Sequence, residues 1–235
     1  MTSGVFLTAE WRHLAMVSFE VDPALLRLLI PTGTELDTHH GRVMMSFVGF
    51  RFLRTRVLGV RVPFHQNFDE VNLRFYVRRE VGAELRRGVT FIREIVPRRL
   101  IAFVARLAYN EPYVALPMRS EATPAYVRYA WRNGGAWQHL ALTARGSAGV
   151  PDAQSEAAFI TDHQWGYTRQ RDGSTVEYRV EHAPWRVWEG TDAEVTGDLA
   201  PLYGRAFAAA LGGATPSALL ADGSPVTVFR PETLR

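Results

Sequence analysis

The chain has 235 residues, of which 47% are hydrophobic and 22% are charged, so it is long enough to bury a sizeable core and too apolar to be disordered. Its net charge of +3 is spread along the sequence without a polybasic run, and no apolar stretch is long enough to span a membrane. We therefore expect neither nucleic acid nor a membrane as a partner. Cysteine is absent, which excludes disulfides, thiolate metal sites and thiol nucleophiles. The first residues lack the basic region and apolar run of a signal peptide, so we expect a cytoplasmic protein.

The basic residues are unusual, because all 27 are arginine and the sequence contains no lysine. A genome whose base composition favours arginine codons would explain most of this bias. The chemical consequence is the same whatever the origin. A guanidinium stays protonated at any working pH, whereas a buried lysine can lose its proton and attack a carbonyl. Apart from the terminal amine, the chain has no group that can form a Schiff base.

The first half of the chain is predicted to be mostly strand. Residues 13–21 are β-rich and end at Asp22-Pro23, a pair typical of a helix N-cap and first helical position, so a short helix is expected over 23–30. Runs rich in β-branched and aromatic residues predict three further strands, at 43–53, 70–80 and 88–96.

The predicted strand at 70–80 has one apolar face and one polar face. Its apolar residues alternate with Glu70, Asn72 and Arg74 at the two-residue period of a strand. The polar face would be explained by exposure to solvent, or by a position lining a polar pocket. Glu70 is the candidate acid or base, because the neighbouring Asp69 would face the opposite way. An exposed strand carboxylate is the equally weighted alternative.

The segment REIVPRRL at 93–100 places two arginines where a helix is expected to begin. With Pro97 as the first helical residue, Arg98 and Arg99 occupy the first turn, and apolar residues over 100–108 recur at helical spacing and predict one buried stripe. Two guanidiniums beside the free N–H groups of a helix N-terminus would form a receptor for a carboxylate or phosphate. Alternatively, both side chains extend into water.

The second half is divided by turn signals. Asn-Gly-Gly at 133–135 and Asp-Gly at 172–173 each lie between two alternating runs and predict two β-hairpins. An alanine-rich helix is expected over 199–211, and a tail from about residue 214 is expected to extend along the surface. Without a repeat or a linker, the pattern predicts a single α+β domain over 1–235, built on a large, mainly antiparallel sheet with a few helices.

Several common site motifs are missing from the sequence. No glycine-rich nucleotide loop and no nucleophile elbow occurs. The seven histidines include no pair at the i, i+4 spacing of a helical zinc site. We therefore expect no metal and no cofactor.

Ordered blocks along the chain resemble the uncharacterised bacterial YqjF-like family. The blocks are EWRHLAMVSFEVDPALLRLLIP, GTELDTHHGRVMMSFVGF, NLRFYVR, RGVTFIREIVPRRLIAFVARLAY and VEHAPWRVW. Together they cover most of positions 10–190, and their order is more specific than any one block. That family resembles acetoacetate decarboxylase in fold. The resemblance implies a cone-like or barrel-like antiparallel sheet around an apolar pocket, and a homo-oligomer.

Acetoacetate decarboxylase uses an arginine near its first strand, a glutamate in the middle of its sheet and a Schiff-base lysine in a Pro-Lys-Lys-Leu segment. By order in the sequence, the resemblance implies that Arg12 and Glu70 correspond to the first two of these residues. It also implies that Arg98 stands at the position of the lysine. Arginine cannot form the imine, so the resemblance implies the fold without the imine chemistry.

Three functions remain open. The favoured one is a small-molecule-binding protein, or an enzyme without covalent catalysis, that holds a carboxylate near Glu70 in an apolar pocket. The second is a lyase or isomerase in which Glu70 moves a proton next to a carbonyl. The third is an interaction protein with a vestigial pocket, whose aromatic segment 185–188 marks a partner surface. The residues expected to bind the carboxylate are Arg12, Asn72, Arg74, Arg98 and Arg99.

Overall fold

The computed structural model describes residues 4–234, and most of them lie in strands. The strands in this range are β1 (Val5–Glu20), β2 (Glu35–Leu36), β3 (Thr38–His39), β4 (Arg42–Val57), β5 (Phe68–Val81), β6 (Glu84–Val96), β7 (Tyr113–Ala115), β8 (Met118–Ala122), β9 (Tyr126–Asn133), β10 (Ala136–Gly149), β11 (Trp165–Arg169), β12 (Thr175–His182), β13 (Val187–Thr196), β14 (Ser217–Phe229) and β15 (Glu232–Thr233). The α-helices are α1 (Arg99–Tyr109), α2 (Glu156–Thr161), α3 (Ala200–Tyr203) and α4 (Arg205–Gly213).

Seven of these strands close into a barrel. Their order is β12, β11, β6, β5, β4, β1 and β14, and β14 pairs back onto β12. Neighbouring strands are antiparallel except for β11 and β6, which are parallel where Trp165 lies opposite Gly88. Because side chains alternate between the two faces of a strand, each barrel strand directs one set of residues inward and the other set outward.

A second layer covers part of the outer face of the barrel. Strands β13, β10, β9 and β8 continue the sheet from β14. An apolar core joins Leu73 and Phe75 of β5 to Tyr129 and Trp131 of β9, and all four side chains are fully buried. The outward face of β5 is therefore an ordinary packing surface. A separate apolar cluster, which includes Phe50 and Trp185, lies inside the barrel.

The predicted fold class and the strongest strand predictions are confirmed. The strands expected at 43–53, 70–80 and 88–96 are β4, β5 and β6. The two predicted hairpins are also present, as β9–β10 around Gly134 and β11–β12 around Gly173. Turn chemistry and alternation were sufficient here because both act locally.

Two helix predictions were wrong in extent. The segment expected to be helical over 23–30 forms only a single 3-10 turn, Pro23–Leu25, although Asp22 caps its start as predicted through a 2.8 Å bond from the Ala24 amide. Only eight residues separate Asp22 from Pro31, which is too short for a helix that buries just Leu26. The alanine-rich helix is divided into α3 and α4 at Gly204, whose φ of 90° a helix cannot contain.

The prediction of a surface tail after residue 214 was also wrong. Strand β14 lies between β1 and β13, and it buries Leu219, Leu220 and Ala221. This strand contains Pro225 and an Asp222-Gly223 pair, which are residues typical of a loop. They lie at an irregular part of it, where Gly223 has a φ of 79° and approaches the Trp11 carbonyl too closely for any side chain. Among residues 4–234, no helix has the length and apolar character needed to cross a bilayer.

Candidate binding site

A cavity of about 230 Å³ lies inside the barrel. All seven barrel strands contribute side chains to its wall, and α1 closes one end with Ile101, Val104 and Tyr109. Most of the wall is apolar. Its aromatic side chains include those of Trp11, Phe50, Phe52, Phe68, Phe91, Trp165 and Trp185.

The polar face of β5 lines this cavity. Glu70, Asn72 and Arg74 project into it, while the residues between them pack into the outer core. Asp69 is on the other face and forms a 3.2 Å ion pair with Arg51. The polar face of β5 therefore lines a pocket and is not simply exposed to solvent.

Glu70 is buried, with 3% of its surface exposed. Its carboxylate accepts hydrogen bonds from the Asn72 amide (3.1 Å) and the Tyr113 hydroxyl (3.0 Å). Burial raises the pKa of Glu70 to about 7, against the opposing effects of these two hydrogen bonds and of the Arg74 charge. A carboxyl group with this pKa can give or take a proton near neutral pH.

Two further buried carboxyl groups lie beside Glu70. Glu94 is on β6 opposite Asn72, and Glu111 is in the turn that follows α1. Burial, followed by the charges of Glu111 and Glu70, raises the pKa of Glu94 well above its ordinary value. Burial also raises the pKa of Glu111 to about 8, although the Tyr178 hydroxyl donates a hydrogen bond to it. The three groups form a carboxyl cluster, Glu70, Glu94 and Glu111, that holds protons near neutral pH.

Sequence reasoning missed Glu94 and Glu111 as site residues. Glu94 lies in REIVPRRL, where the prediction of an anion site rested on the arginines alone. The pairing of β5 with β6 also has a register shift between Leu73 and Arg74, so regular alternation does not predict which residues of β6 face inward. Glu111 lies in a turn between Asn110 and a proline, where no periodicity exists. Only the closing of the barrel brings it to the cavity.

The arginines of the predicted clamp are not assembled. Arg74 lines the cavity, where one of its terminal nitrogens donates to the Ile160 carbonyl (3.1 Å) and its buried Nε has no partner in the described part of the chain. Arg12 instead binds Glu10 (3.0 Å) and the Gly223 carbonyl (3.1 Å), and it is not part of the cavity wall.

Arg98 and Arg99 are exposed and do not line the cavity. The helix begins two residues later than expected, at Arg99 instead of Pro97, because Arg98 is its N-cap and has an extended backbone. The predicted buried stripe of α1 is also incomplete, since Leu107 is 76% exposed. In the aromatic segment 185–188, Trp185 is buried and donates to the Ser224 hydroxyl at 2.9 Å, and Trp188 is half-buried against the outer core.

A second buried charged group lies at the Arg74 side of the cavity. Asp37 accepts hydrogen bonds from Arg87 (2.7 Å) and from His163 (3.3 Å), and these bonds outweigh the effect of burial and lower its pKa. Burial lowers the pKa of His163 to about 4, so at neutral pH its imidazole is uncharged. No three histidine, aspartate or glutamate side chains within 4–234 are arranged to hold a metal ion.

The barrel with its mainly apolar cavity defines the chain as a protein of the acetoacetate decarboxylase-like fold. It matches the crystal structure of acetoacetate decarboxylase from Legionella pneumophila with a TM-score of 0.70 and 12% identity, over 99% of this chain and 88% of that one. It matches the enduracididine biosynthesis enzyme MppR complexed with pyruvate with a TM-score of 0.68 and 13% identity, over 100% and 92% of the two chains. It also matches an acetoacetate decarboxylase-like enzyme from Sphingomonas wittichii (TM-score 0.66, 17% identity, 97% and 93% coverage). At such identities the likeness shows the fold alone.

The chain belongs to the DUF2071 family, described as an uncharacterized conserved protein, whose model matches residues 8–225. It is 28% identical over 199 residues to the uncharacterized protein YqjF of Bacillus subtilis, and the alignment covers 82% of this chain and 79% of that protein. The resemblance predicted from the sequence blocks is thereby confirmed.

Proposed function

We propose that the chain binds a small organic carboxylate in the barrel cavity without forming a covalent bond to it. The observation that carries the proposal is Arg74, a permanent cation inside a mainly apolar cavity, whose buried Nε has no partner within the described residues. A guanidinium is the side chain best suited to hold a carboxylate, because it presents several N–H donors in one plane. Asn72 lies two residues away on the same face of β5.

The rest of the ligand would be apolar. Trp11, Phe50 and Trp185 provide large aromatic surfaces, and such walls with few polar groups are typical of small-molecule sites. The cavity is slightly smaller than the roughly 300–1,000 Å³ typical of such sites. A compact molecule of one ring or a short chain therefore fits better than a long fatty acid. The pyruvate named in the MppR complex supports a small carboxylate for this fold.

A second candidate is an enzyme, a lyase or isomerase acting on a carbonyl-containing acid. It is favoured by Glu70, whose pKa of about 7 suits proton transfer near neutral pH. Arg74 would hold the substrate while Glu70 moved a proton at the carbon beside the carbonyl. An imine route is not part of either proposal, because the chain has no lysine.

A thermal-shift screen of small keto acids, hydroxy acids and aromatic acids tests the binding proposal. A ligand at about 100 times its Kd stabilises the folded state by about 2.7 kcal/mol. We expect at least one carboxylate to raise Tm, and Arg74→Gln to remove that rise. The matched control is Arg98→Gln, which changes an exposed arginine and should retain it. If no carboxylate raises Tm, or if Arg74→Gln leaves the rise intact, the proposal is wrong.

NMR of a bound keto acid in deuterated water tests the enzyme proposal. We expect exchange of the proton next to the carbonyl in the wild type and none in Glu70→Gln. Exchange that persists in Glu70→Gln would exclude Glu70 as the base. Borohydride reduction in the presence of the keto acid should produce no side-chain adduct.

A further inference from the structure

The end of the cavity around Glu94 is rich in hydrogen-bond acceptors that have no donor. Glu94 Oε2 and Asn72 Oδ1 are both buried without a partner among residues 4–234, and the two residues are 1% and 2% exposed. They lie opposite each other in the pairing of β5 with β6. Buried acceptors in native proteins almost always have a donor. In the free protein a proton on Glu94 can serve both oxygens, whereas an ionised Glu94 leaves them in need of a donor supplied by a ligand.

This end of the cavity also lacks a cation. The ion pairs found within residues 4–234 include none to Glu70, Glu94 or Glu111. Arg74 acts on Glu70, whereas the charges that act on Glu94 and Glu111 are those of other carboxyl groups. A buried carboxylate without a cation is costly, and a positively charged ligand group would remove that cost.

We infer that Glu94, Glu111 and Asn72 form a subsite for a protonated amine of the ligand. The inference rests on the proposed function, because it makes the ligand an amino carboxylate whose carboxylate binds Arg74. Two residues along a strand span about 7 Å, so the Cα atoms of Asn72 and Arg74, on the same face of β5, are about that far apart. A carboxylate and an amine at opposite ends of one benzene ring, or of a chain of about five carbons, have a similar separation.

Binding of the amine is accompanied by loss of a proton from the carboxyl cluster. The ammonium group arrives with its own proton and places it against Glu94. The carboxyl proton that kept the empty cluster neutral leaves to solvent, so one positive charge enters as one leaves. No covalent bond forms or breaks apart from this O–H bond.

The titratable and charged groups around Glu94 come from several neighbouring elements, and the one arginine among them keeps its charge at any working pH. They are Glu70 and Arg74 on β5, Tyr109 on α1, Glu111 in the following turn, Tyr113 on β7 and Tyr178 on β12. Burial raises the pKa of each of these three tyrosines, so they remain neutral below pH 9. The proton released on binding therefore comes from the carboxyl cluster.

Three matched benzoates separate this inference from the proposed function. The probes are 4-methylbenzoate, 4-(hydroxymethyl)benzoate and 4-(aminomethyl)benzoate, which differ only at the group directed away from the carboxylate. We expect calorimetry at about pH 8 to show that the wild type binds the amino compound at least about tenfold more tightly than the methyl compound. Glu94→Gln should abolish this preference while retaining the affinity for 4-methylbenzoate. Glu111→Gln should reduce the preference and provides a second variant if Glu94→Gln does not fold.

Proton release provides a readout that a merely structural role of Glu94 would not change. Calorimetry at about pH 6.5 in two buffers of different ionisation enthalpy should show close to one proton released per amino compound bound, and none for the methyl compound. If 4-methylbenzoate binds through Arg74 and the amino compound binds no better, the amine subsite is wrong and the carboxylate site stands. If none of the three binds while another carboxylate raises Tm, the amine subsite is wrong and the carboxylate site stands; if no carboxylate binds at all, both are wrong. A preference for the amino compound that survives in both variants also overturns the subsite.

Discussion

Two buried groups of titratable residues, one around Asp37 and one around Glu94, lie on the same barrel. They differ in whether a cation accompanies the carboxyl group. Asp37 has Arg87 at 2.7 Å and His163 at 3.3 Å, and its pKa is lowered. Glu94 has two other carboxyl groups as neighbours, and its pKa is raised. The charge of Asp37 is balanced by Arg87, whereas Glu94 has no ion pair among the described residues.

This difference distinguishes a charge with a structural role from the groups that we propose to bind a ligand. Asp37 joins the loop before β3 to Arg87 on β6 and to His163 after α2, so its ion pairs connect parts of the fold that are distant in sequence. The carboxyl cluster lies on a cavity, and the ligand that we propose for it would offset its cost to stability. Perturbed titratable groups concentrate at functional sites for this reason.

The largest expected contrast between the two groups is in the pH dependence of stability. The raised pKa of Glu70, about 7, and of Glu111, about 8, mean that the folded state binds more protons than the unfolded state above pH 4.5. The free energy of unfolding should therefore fall by several kcal/mol as pH rises from about pH 5 to pH 8. Asp37 has the opposite sign, and its stabilisation is lost only as pH falls below its ordinary pKa. Denaturant unfolding at several pH values measures this, and a flat or rising curve contradicts it.

Removal of the cation at the paired site should be nearly as costly. Arg87→Leu leaves the Asp37 carboxylate buried with only a neutral histidine, so we expect a loss of about 2–3 kcal/mol at pH 7. Arg78→Leu is the control, because Arg78 lies opposite Arg87 in the sheet and forms an exposed pair with Glu35. That pair should contribute less than about 1 kcal/mol. Equal losses in the two variants would mean that burial of Asp37 has no special importance.

Removal of a carboxyl group from the cluster should stabilise the protein. Glu94→Gln replaces a buried group that has no cation by a neutral one of the same shape, so the free energy of unfolding should rise by about 1–2 kcal/mol at pH 8 and by less at pH 5. Glu177→Gln should do the reverse, because Glu177 pairs with Arg79 and Arg86 at 3.1 and 2.8 Å. Denaturant unfolding compares the two variants. Destabilisation by Glu94→Gln at pH 8 would show that the cluster contributes to the fold.

The smallest effects are expected at the start of α1. Arg98 and Arg99 are exposed and make no contact with either buried group. Arg98→Gln and Arg99→Gln should each change the free energy of unfolding by less than about 0.5 kcal/mol and leave the ligand-induced rise in Tm unchanged. Loss of ligand binding in Arg98→Gln would mean that Arg98 binds the ligand, as the sequence predicted.

Much of the barrel could be predicted from the sequence because strands and hairpins have local signals. The alternation in β5 correctly identified Glu70, Asn72 and Arg74 as one face. Strand β14 was missed because its glycine and proline, normally turn residues, lie at an irregular position inside the sheet. Local rules describe the average strand and fail where the barrel departs from it.

The site could be predicted only in part, because it depends on contacts between distant residues. Glu111 reaches Glu94 and Tyr178 only after the barrel closes. The resemblance predicted functional roles for Arg12 and Arg98, yet in this chain Arg12 pairs with Glu10 and Arg98 is exposed. Order along the chain did not determine which side of the wall a side chain lies on.

Carbon-13 NMR of the glutamate carboxyl groups, assigned with the Glu70→Gln, Glu94→Gln and Glu111→Gln variants, tests the central claim most directly. We predict that the cluster titrates late, with Glu70 near pH 7, Glu111 near pH 8 and Glu94 well above its ordinary range. We also predict that a bound amino carboxylate moves these titrations to lower pH. Titration of all three groups below pH 5 in the free protein would mean that the cluster is already compensated within the chain, and it would contradict the account.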